Sequence, residues 1–354
     1  MLNATVKAFA PVNIAWIKYM GKDGGRPANG SLSHTLHSFG TTTSISLEAT
    51  GEYLTFAWNP AGYVPPESGR RKAENFLKKE AQWKELLTTF GFQTHWPKTQ
   101  VKILTENNVP AGTGIATSAS AFAALTLAWS ALLAGDRKLE WMKKFNSGDA
   151  AFREALAAVA SLGSGSAARS MDGPWVEWSP AVDQIGGIKK IEGGPTQWVD
   201  LILVIESAPK AVSSSEAHER VKTSPLYEGR AARVEARLIE LKTLLKQTPG
   251  TIPQIQKLVL EEALDMHELF HTSQPPFRYM QALSQEVVSL FRERSSELPT
   301  KHGVITLDAG ANVHLFVPCE ELSQWSVWVS KRFPTLKVLI DHDSDRKGAH
   351  YEIF

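Results

Sequence analysis

Apolar and polar residues alternate over ATVKAF (4–9), TTTSISLEAT (41–50) and EYLTFAW (52–58), so the first 60 residues read as β-rich. A loop rich in Gly, Pro and Asn, from Gly21 to Gly30, separates the first two runs. ESGRRKAENFLKKEAQWKELL (67–87) predicts one helix with an exposed basic face, and QVKILT (100–105) predicts a half-buried strand. No charge occurs between Glu106 and Asp136, and there Ala119–Leu133 predicts a buried helix. That run is shorter than the roughly 20 apolar residues a bilayer span needs. Helical segments around 137–162 precede strands at PWVEW (174–178) and DLILVIES (200–207). Val234, Leu238, Leu241 and Leu245 then share one helical face, with further helices over about 253–271 and 278–296. GVITLD (303–308), NVHLFVP (312–318) and LKVLI (336–340) predict closing strands. Clustered strands and clustered helices predict an α+β class, and the Gly- and Pro-rich stretch 180–195 divides residues 1–185 from 186–354.

Composition narrows the function. The 354 residues carry 38 Lys and Arg against 37 Asp and Glu, a net charge of +1. Duplex binding rests on a surplus of cations facing phosphates, so this balance argues against a nucleic-acid binder. It leaves room for a small anion held by a local cluster. A single cysteine, Cys319, excludes an intramolecular disulfide and a cysteine metal cage, and fits a reducing compartment. The N-terminus lacks the basic start and apolar run of a signal peptide.

Several segments carry chemistry. His267-Glu268-Leu269-Phe270-His271 matches H-E-x-x-H in a predicted helix, the pattern of a zinc peptidase. The next residues, TSQPPF, supply no third ligand, Pro275–Pro276 end the helix, and Glu293 is the only downstream carboxylate near a gluzincin-like spacing; two hydrogen-bonded histidines are the alternative. Pro110–Ser120 (PAGTGIATSAS) runs glycines and hydroxyls from a strand into a helix, which is the form of a phosphate cradle. A tight turn with an N-cap is the alternative there. In Gly163–Ser170 (GSGSAARS), Ser164 and Ser166 with Arg169 form a second candidate anion site. Lys18 and Lys22 flank a loop after the first strand, and Asp308 ends an apolar strand before a glycine turn.

In combination, PVNIAWIKYMGK (11–22), NGSLSHTL (29–36), TTTS (41–44), GSGSAARS (163–170), VSSS (212–215) and DAGAN (308–312) resemble the GHMP kinase superfamily and, within it, the diphosphomevalonate decarboxylases. The resemblance implies a GHMP kinase fold: a ribosomal protein S5 domain 2-like N-terminal domain that binds ATP, a ferredoxin-like C-terminal domain, and a cleft between them. It also implies a cytoplasmic homodimer in isoprenoid biosynthesis that uses ATP and Mg2+ and binds neither nucleic acid nor membrane. The family's reaction phosphorylates the 3-hydroxyl of mevalonate 5-diphosphate, then expels phosphate and carbon dioxide.

By position, Asp308 would orient or deprotonate that hydroxyl, and Arg169 would hold the substrate carboxylate. Tyr19, Lys22, Ser164, Gly165 and Ser166 would contact substrate phosphate. Lys18 would reach phosphate or Asp308, and Ser214 would lie near the transferred group. Asn108, Pro110, Gly112, Gly114, Ile115, Ala116, Thr117 and Ser118 would surround the ATP phosphates, with Thr117 or Ser118 at the magnesium. Met20, Gly30, Thr117, Ala311 and the pair Ala217-His218 depart from the family pattern. A monophosphate or free mevalonate as substrate, or a kinase without decarboxylation, therefore stay open.

Overall fold

The structure is a computed structural model. It describes residues 6–23, 26–48, 54–59, 67–109, 117–179, 187–194, 197–206, 211–341 and 348–353. In order the elements are β1 (Val6–Ile17), β2 (Lys22–Asp23), β3 (Arg26–Pro27), β4 (Ser31–Glu48), β5 (Leu54–Asn59), α1 (Glu67–Leu77), α2 (Glu80–Thr89), β6 (Gln100–Asn107) and α3 (Ser118–Leu133). Next come α4 (Lys138–Asn146), α5 (Ala150–Ser161), β7 (Trp175–Ser179), β8 (Gly187–Lys190), β9 (Trp198–Val204), α6 (Ser214–Arg220), α7 (Arg230–Leu245) and α8 (Ile252–Thr272). The chain closes with α9 (Ala282–Glu293), β10 (Val304–Leu307), β11 (Val313–Pro318), α10 (Leu322–Arg332), β12 (Lys337–Asp341) and β13 (His350–Glu352).

Two main sheets organise these elements. The larger has the order β13-β1-β4-β6-β5, with β7 and then β8 attached along β4; the smaller is β10-β11-β9-β12. The segment predicted as one basic helix is two, because α1 stops at Leu77 and α2 restarts at Glu80. The break turns Phe76, Leu77, Trp83, Leu86 and Leu87 into one buried set against α3. α10 and the edge strands β8 and β13 lie outside the predicted elements. Their short runs bury too few residues to leave a clear period.

α3 is apolar on all sides because it is buried on all sides, packed on β1 and β4 within the first core. A second core joins the sheets: Val12, Trp16, Leu32 and Trp175 meet Trp198, Ile202 and Phe316 across α7 and α8. The predicted face Val234, Leu238, Leu241 and Leu245 lies in this core. The sheets are also pinned by one carboxylate. β4 pairs with β1 in two stretches, and Leu36–Phe39 bow out between them. There the His37 and Ser38 backbone N–H groups donate to Asp341 at the end of β12, at 3.0 and 2.6 Å. No helix among the described residues is long and apolar enough to cross a membrane.

Candidate active site

The β1–β4 ladder shifts register again between Ala15 and Ile17, and the chain leaves the strand at Lys18. A bulge re-aims the following side chain, here inward. The Lys18 side chain is only 2% exposed, yet its Nζ donates to Ala15 O at 2.6 Å and to Asp308 Oδ1 at 2.7 Å. Asp308 follows β10 directly and keeps 32% of its side chain exposed. Burial pulls the Lys18 ammonium below its usual range, against the opposing charge of Asp308. The pair joins positions 290 residues apart.

Arg169 lies in a 3-10 turn over Gly165–Met171 and is buried. Its Nη1 donates to Ser31 Oγ at 2.7 Å, and its Nε to Ser33 Oγ and, at 3.2 Å, to Asn13 Oδ1. Asn13 in turn donates to Ser170 Oγ at 2.8 Å. Ser31 and Ser33 alternate on β4, so both hydroxyls face the same way. Burial pulls the guanidinium down to about 10, while Asp308 and Tyr19 push the other way. Lys18, Arg169, Asp308 and Tyr19 thus share one electrostatic neighbourhood.

Tyr19 stands against Gly165: a Cβ added at that glycine would lie 2.9 Å from Tyr19 Cε1. Ser164 and Ser166 hydroxyls are 3.2 Å apart beside it. The other side of the Tyr19 ring neighbourhood is His218 of α6, with centroids 4.5 Å apart. Gly21 N–H donates to His218 Nδ1 at 3.0 Å, so α6 is tied to the loop between Lys18 and Lys22. Burial, reinforced by the charge of Lys22, pulls the imidazole down to about 4 and keeps it neutral. Ser214 is exposed at the start of this short helix, whose N-cap is Ser213.

On the nucleotide side, Pro110, Gly112, Gly114, Ile115 and Ala116 lie outside the described residues. The Thr117 and Ser118 hydroxyls have no partner among the described residues. Asn108 is committed elsewhere: its Oδ1 accepts from Gly40 N at 2.7 Å and its Nδ2 donates to Ser38 O at 2.6 Å. A cavity of about 580 Å3, lined by Glu67, Arg71, Lys72, Asn75, Phe76, Lys79 and Leu162, opens beside α1. Lys72 sits 5.2 Å over the ring of Phe122, one helical turn into α3 from Ser118. Burial and nearby Lys22 lower its ammonium pKa.

The zinc pattern dissolves. His267 is fully buried and its Nε2 donates to the Asp308 carbonyl at 3.1 Å, while His271 Nδ1 pairs with Glu268 at 3.3 Å. A zinc ligand must offer its lone pair to the metal, and no three His, Cys, Asp or Glu among the described residues are placed to hold one. Sequence reasoning passed over Asn13, Ser31, Ser33, Lys72 and Glu262. The Ser-x-Ser spacing on a strand was a readable signal; the others depend on contacts between distant segments.

Comparison with known proteins agrees with this geometry. Residues 10–186 match a family model described as the diphosphomevalonate decarboxylase-like N-terminal domain. Residues 200–351 match the mevalonate 5-diphosphate decarboxylase C-terminal domain. The chain is 29% identical over 342 residues to diphosphomevalonate decarboxylase of Ganoderma lucidum, covering 92% of this chain and 82% of that protein. It superposes on mevalonate diphosphate decarboxylase from Staphylococcus aureus with a TM-score of 0.79 at 25% identity, covering 100% and 99% of the two chains. A structure of MDDEF in complex with MVAPP, AMPPCP and magnesium is similar with a TM-score of 0.79 at 26% identity, covering 98% of each chain. The expected GHMP-type fold, with its N- and C-terminal domains, is borne out. Across both of its halves, the chain belongs to the diphosphomevalonate decarboxylase family of the GHMP superfamily.

Proposed function

We propose that the protein catalyses ATP-dependent decarboxylation of mevalonate 5-diphosphate to isopentenyl diphosphate. The observation that carries the reading is the Lys18–Asp308 ion pair beside the buried Arg169 fork. A tertiary hydroxyl is a poor leaving group, so the oxygen must first accept the γ-phosphoryl of ATP. Asp308, one-third exposed and paired with Lys18, orients that hydroxyl and takes its proton. Phosphate then leaves with the C–O electrons, and the breaking bond to the carboxylate supplies the electrons of the new double bond.

Arg169 holds the carboxylate until that step, and its fork is preset by Asn13, Ser31 and Ser33. Tyr19, Lys22, Ser164, Gly165 and Ser166 form the diphosphate side, and Ser214 the side of the transferred group. The basic cavity beside α1 suits the nucleotide, with Arg71, Lys72 and Lys79 facing its charge. Magnesium bound with the triphosphate would neutralise charge there, and the Thr117 and Ser118 hydroxyls, without a partner among the described residues, fit that role.

The deciding experiment measures ADP, phosphate and carbon dioxide with the 5-diphosphate, the 5-phosphate and free mevalonate. Equal release of all three products from the 5-diphosphate is expected. ADP formation without carbon dioxide would leave a kinase instead.

A further inference from the structure

Helix α8 grips the main chain on both sides of the proposed catalytic pair. Glu262 Oε1 accepts the Lys18 backbone N–H at 3.1 Å, and His267 Nε2 meets the Asp308 carbonyl oxygen at 3.1 Å. Both side chains are completely buried. They are five residues apart on one helix, about 7.5 Å along its axis. α8 packs on β1, which delivers Lys18, and on β10, which delivers Asp308.

We propose that α8 sets the alignment of Lys18 with Asp308, with Glu262 and His267 as positioning residues. This rests on the roles proposed above for Lys18 and Asp308. The chemistry of each contact is one-way. A carbonyl oxygen only accepts, so His267 carries its proton on Nε2. Its Nδ1 is buried with no partner among the described residues, so a second proton there would be stranded in a dry site. Burial and the charge of Lys18 accordingly pull the imidazole down to about 3, outweighing the Asp308 carbonyl. The neutral donor therefore persists at any working pH.

The Asp308 carbonyl also accepts from Gly310 N–H at 2.7 Å, which closes a tight turn. That turn decides where the Asp308 carboxylate points, and His267 ties it directly to α8. Glu262 does the corresponding work at Lys18, and is itself held by Arg230 and Arg237. The first histidine of the H-E-x-x-H string thus anchors a backbone turn.

The test compares His267→Gln, which keeps an amide N–H donor, with His267→Leu, which loses it. In His267→Leu, kcat should fall about a hundredfold with KM for ATP nearly unchanged, as a misplaced catalytic group predicts. His267→Gln should restore kcat to within about threefold of the parent enzyme. If His267→Leu does not fold, His267→Asn carries the same test, because its shorter amide falls short of the Asp308 carbonyl. A second readout is independent of turnover. In protein labelled with 15N at lysine Nζ, and assigned with Lys18→Met, the Lys18 titration midpoint should fall by about one pH unit in His267→Leu. The sign follows because Asp308 raises that midpoint and burial lowers it. A folded His267→Leu with parental kcat and an unmoved Lys18 midpoint overturns the inference. Absence of carbon dioxide release by the parent enzyme overturns the functional reading instead, and the Lys18 midpoint still decides the role of α8.

Discussion

Two buried ion clusters meet at Glu262 and behave in opposite ways. On one side, Arg230, Arg233 and Arg237 of α7 surround Glu262 and Asp265 of α8. Every carboxylate oxygen there accepts at least one charged donor or backbone N–H. On the other side, the Lys18 ammonium forms its ion pair with Asp308, and that carboxylate stays one-third exposed. Burial opposes charge in both places, so the number of partners decides the outcome. At Asp265 burial would raise the pKa, but Arg233, Arg230 and Arg237 outweigh it and hold the carboxyl at about 2. At Lys18 burial outweighs the charges of Asp308 and Glu262, and the ammonium stays below its usual range. The arginine network holds two helices together; the Lys18–Asp308 pair leaves a carboxylate one-third exposed, where a substrate can reach it.

The sharpest way to break this contrast is at the open pair. Asp308→Asn should lower turnover by about a thousandfold or more, the scale of a lost general base. ATP affinity by calorimetry should stay close to the parent value, and near-normal turnover would remove Asp308 from the chemistry. Lys18→Met should lower turnover by about a hundredfold, because the charge facing Asp308 and the phosphates is gone. Its urea midpoint should stay level or rise, since an undercompensated buried ammonium is removed. A clear loss of stability would mean that the pair is as structural as the arginine network.

Asp265→Asn tests the arginine network, with an expected loss of about 2 kcal/mol in urea unfolding at neutral pH. Activity of the folded fraction should hardly change. Because the folded-state pKa is depressed to about 2, this stabilisation is complete above the unfolded carboxyl value near 4. It fades as pH falls towards 2, so the variant should lose its share of the acid destabilisation in that window. An unchanged acid limb would show that Asp265 does not carry the effect. The smallest change is Gly165→Ala. The new Cβ would press on Tyr19, raising KM for the 5-diphosphate by about fivefold, or roughly 1 kcal/mol, with little effect on melting.

Much of the candidate site was legible in local sequence. Asp308 at a strand end, Lys18 beside a loop and Arg169 in a small-residue turn all stood in local patterns that chemistry favours. Ser31 and Ser33, one strand period apart, could have been added on the same logic. What stayed hidden was the closing of these fragments on one another. The Arg169 fork needs Asn13, 156 residues away, and Lys18 needs both Asp308 and Glu262. For the H-E-x-x-H string, the alternative of two hydrogen-bonded histidines holds, though sequence could not show that one of them faces a carbonyl. The charged run at 67–87 misled: its apolar residues needed a break at Lys78–Lys79 to reach α3.

By itself, the sequence determined the types of most elements, the buried character of α3 and the inward face of α7, which follow from short-range periodicity and residue chemistry. Its motifs carried the resemblance to the family. Only the tertiary structure decided which carboxylate gathers three arginines and which stays one-third exposed beside a buried lysine. That property depends on how many cations from distant segments converge on one oxygen, and on how much water still reaches it.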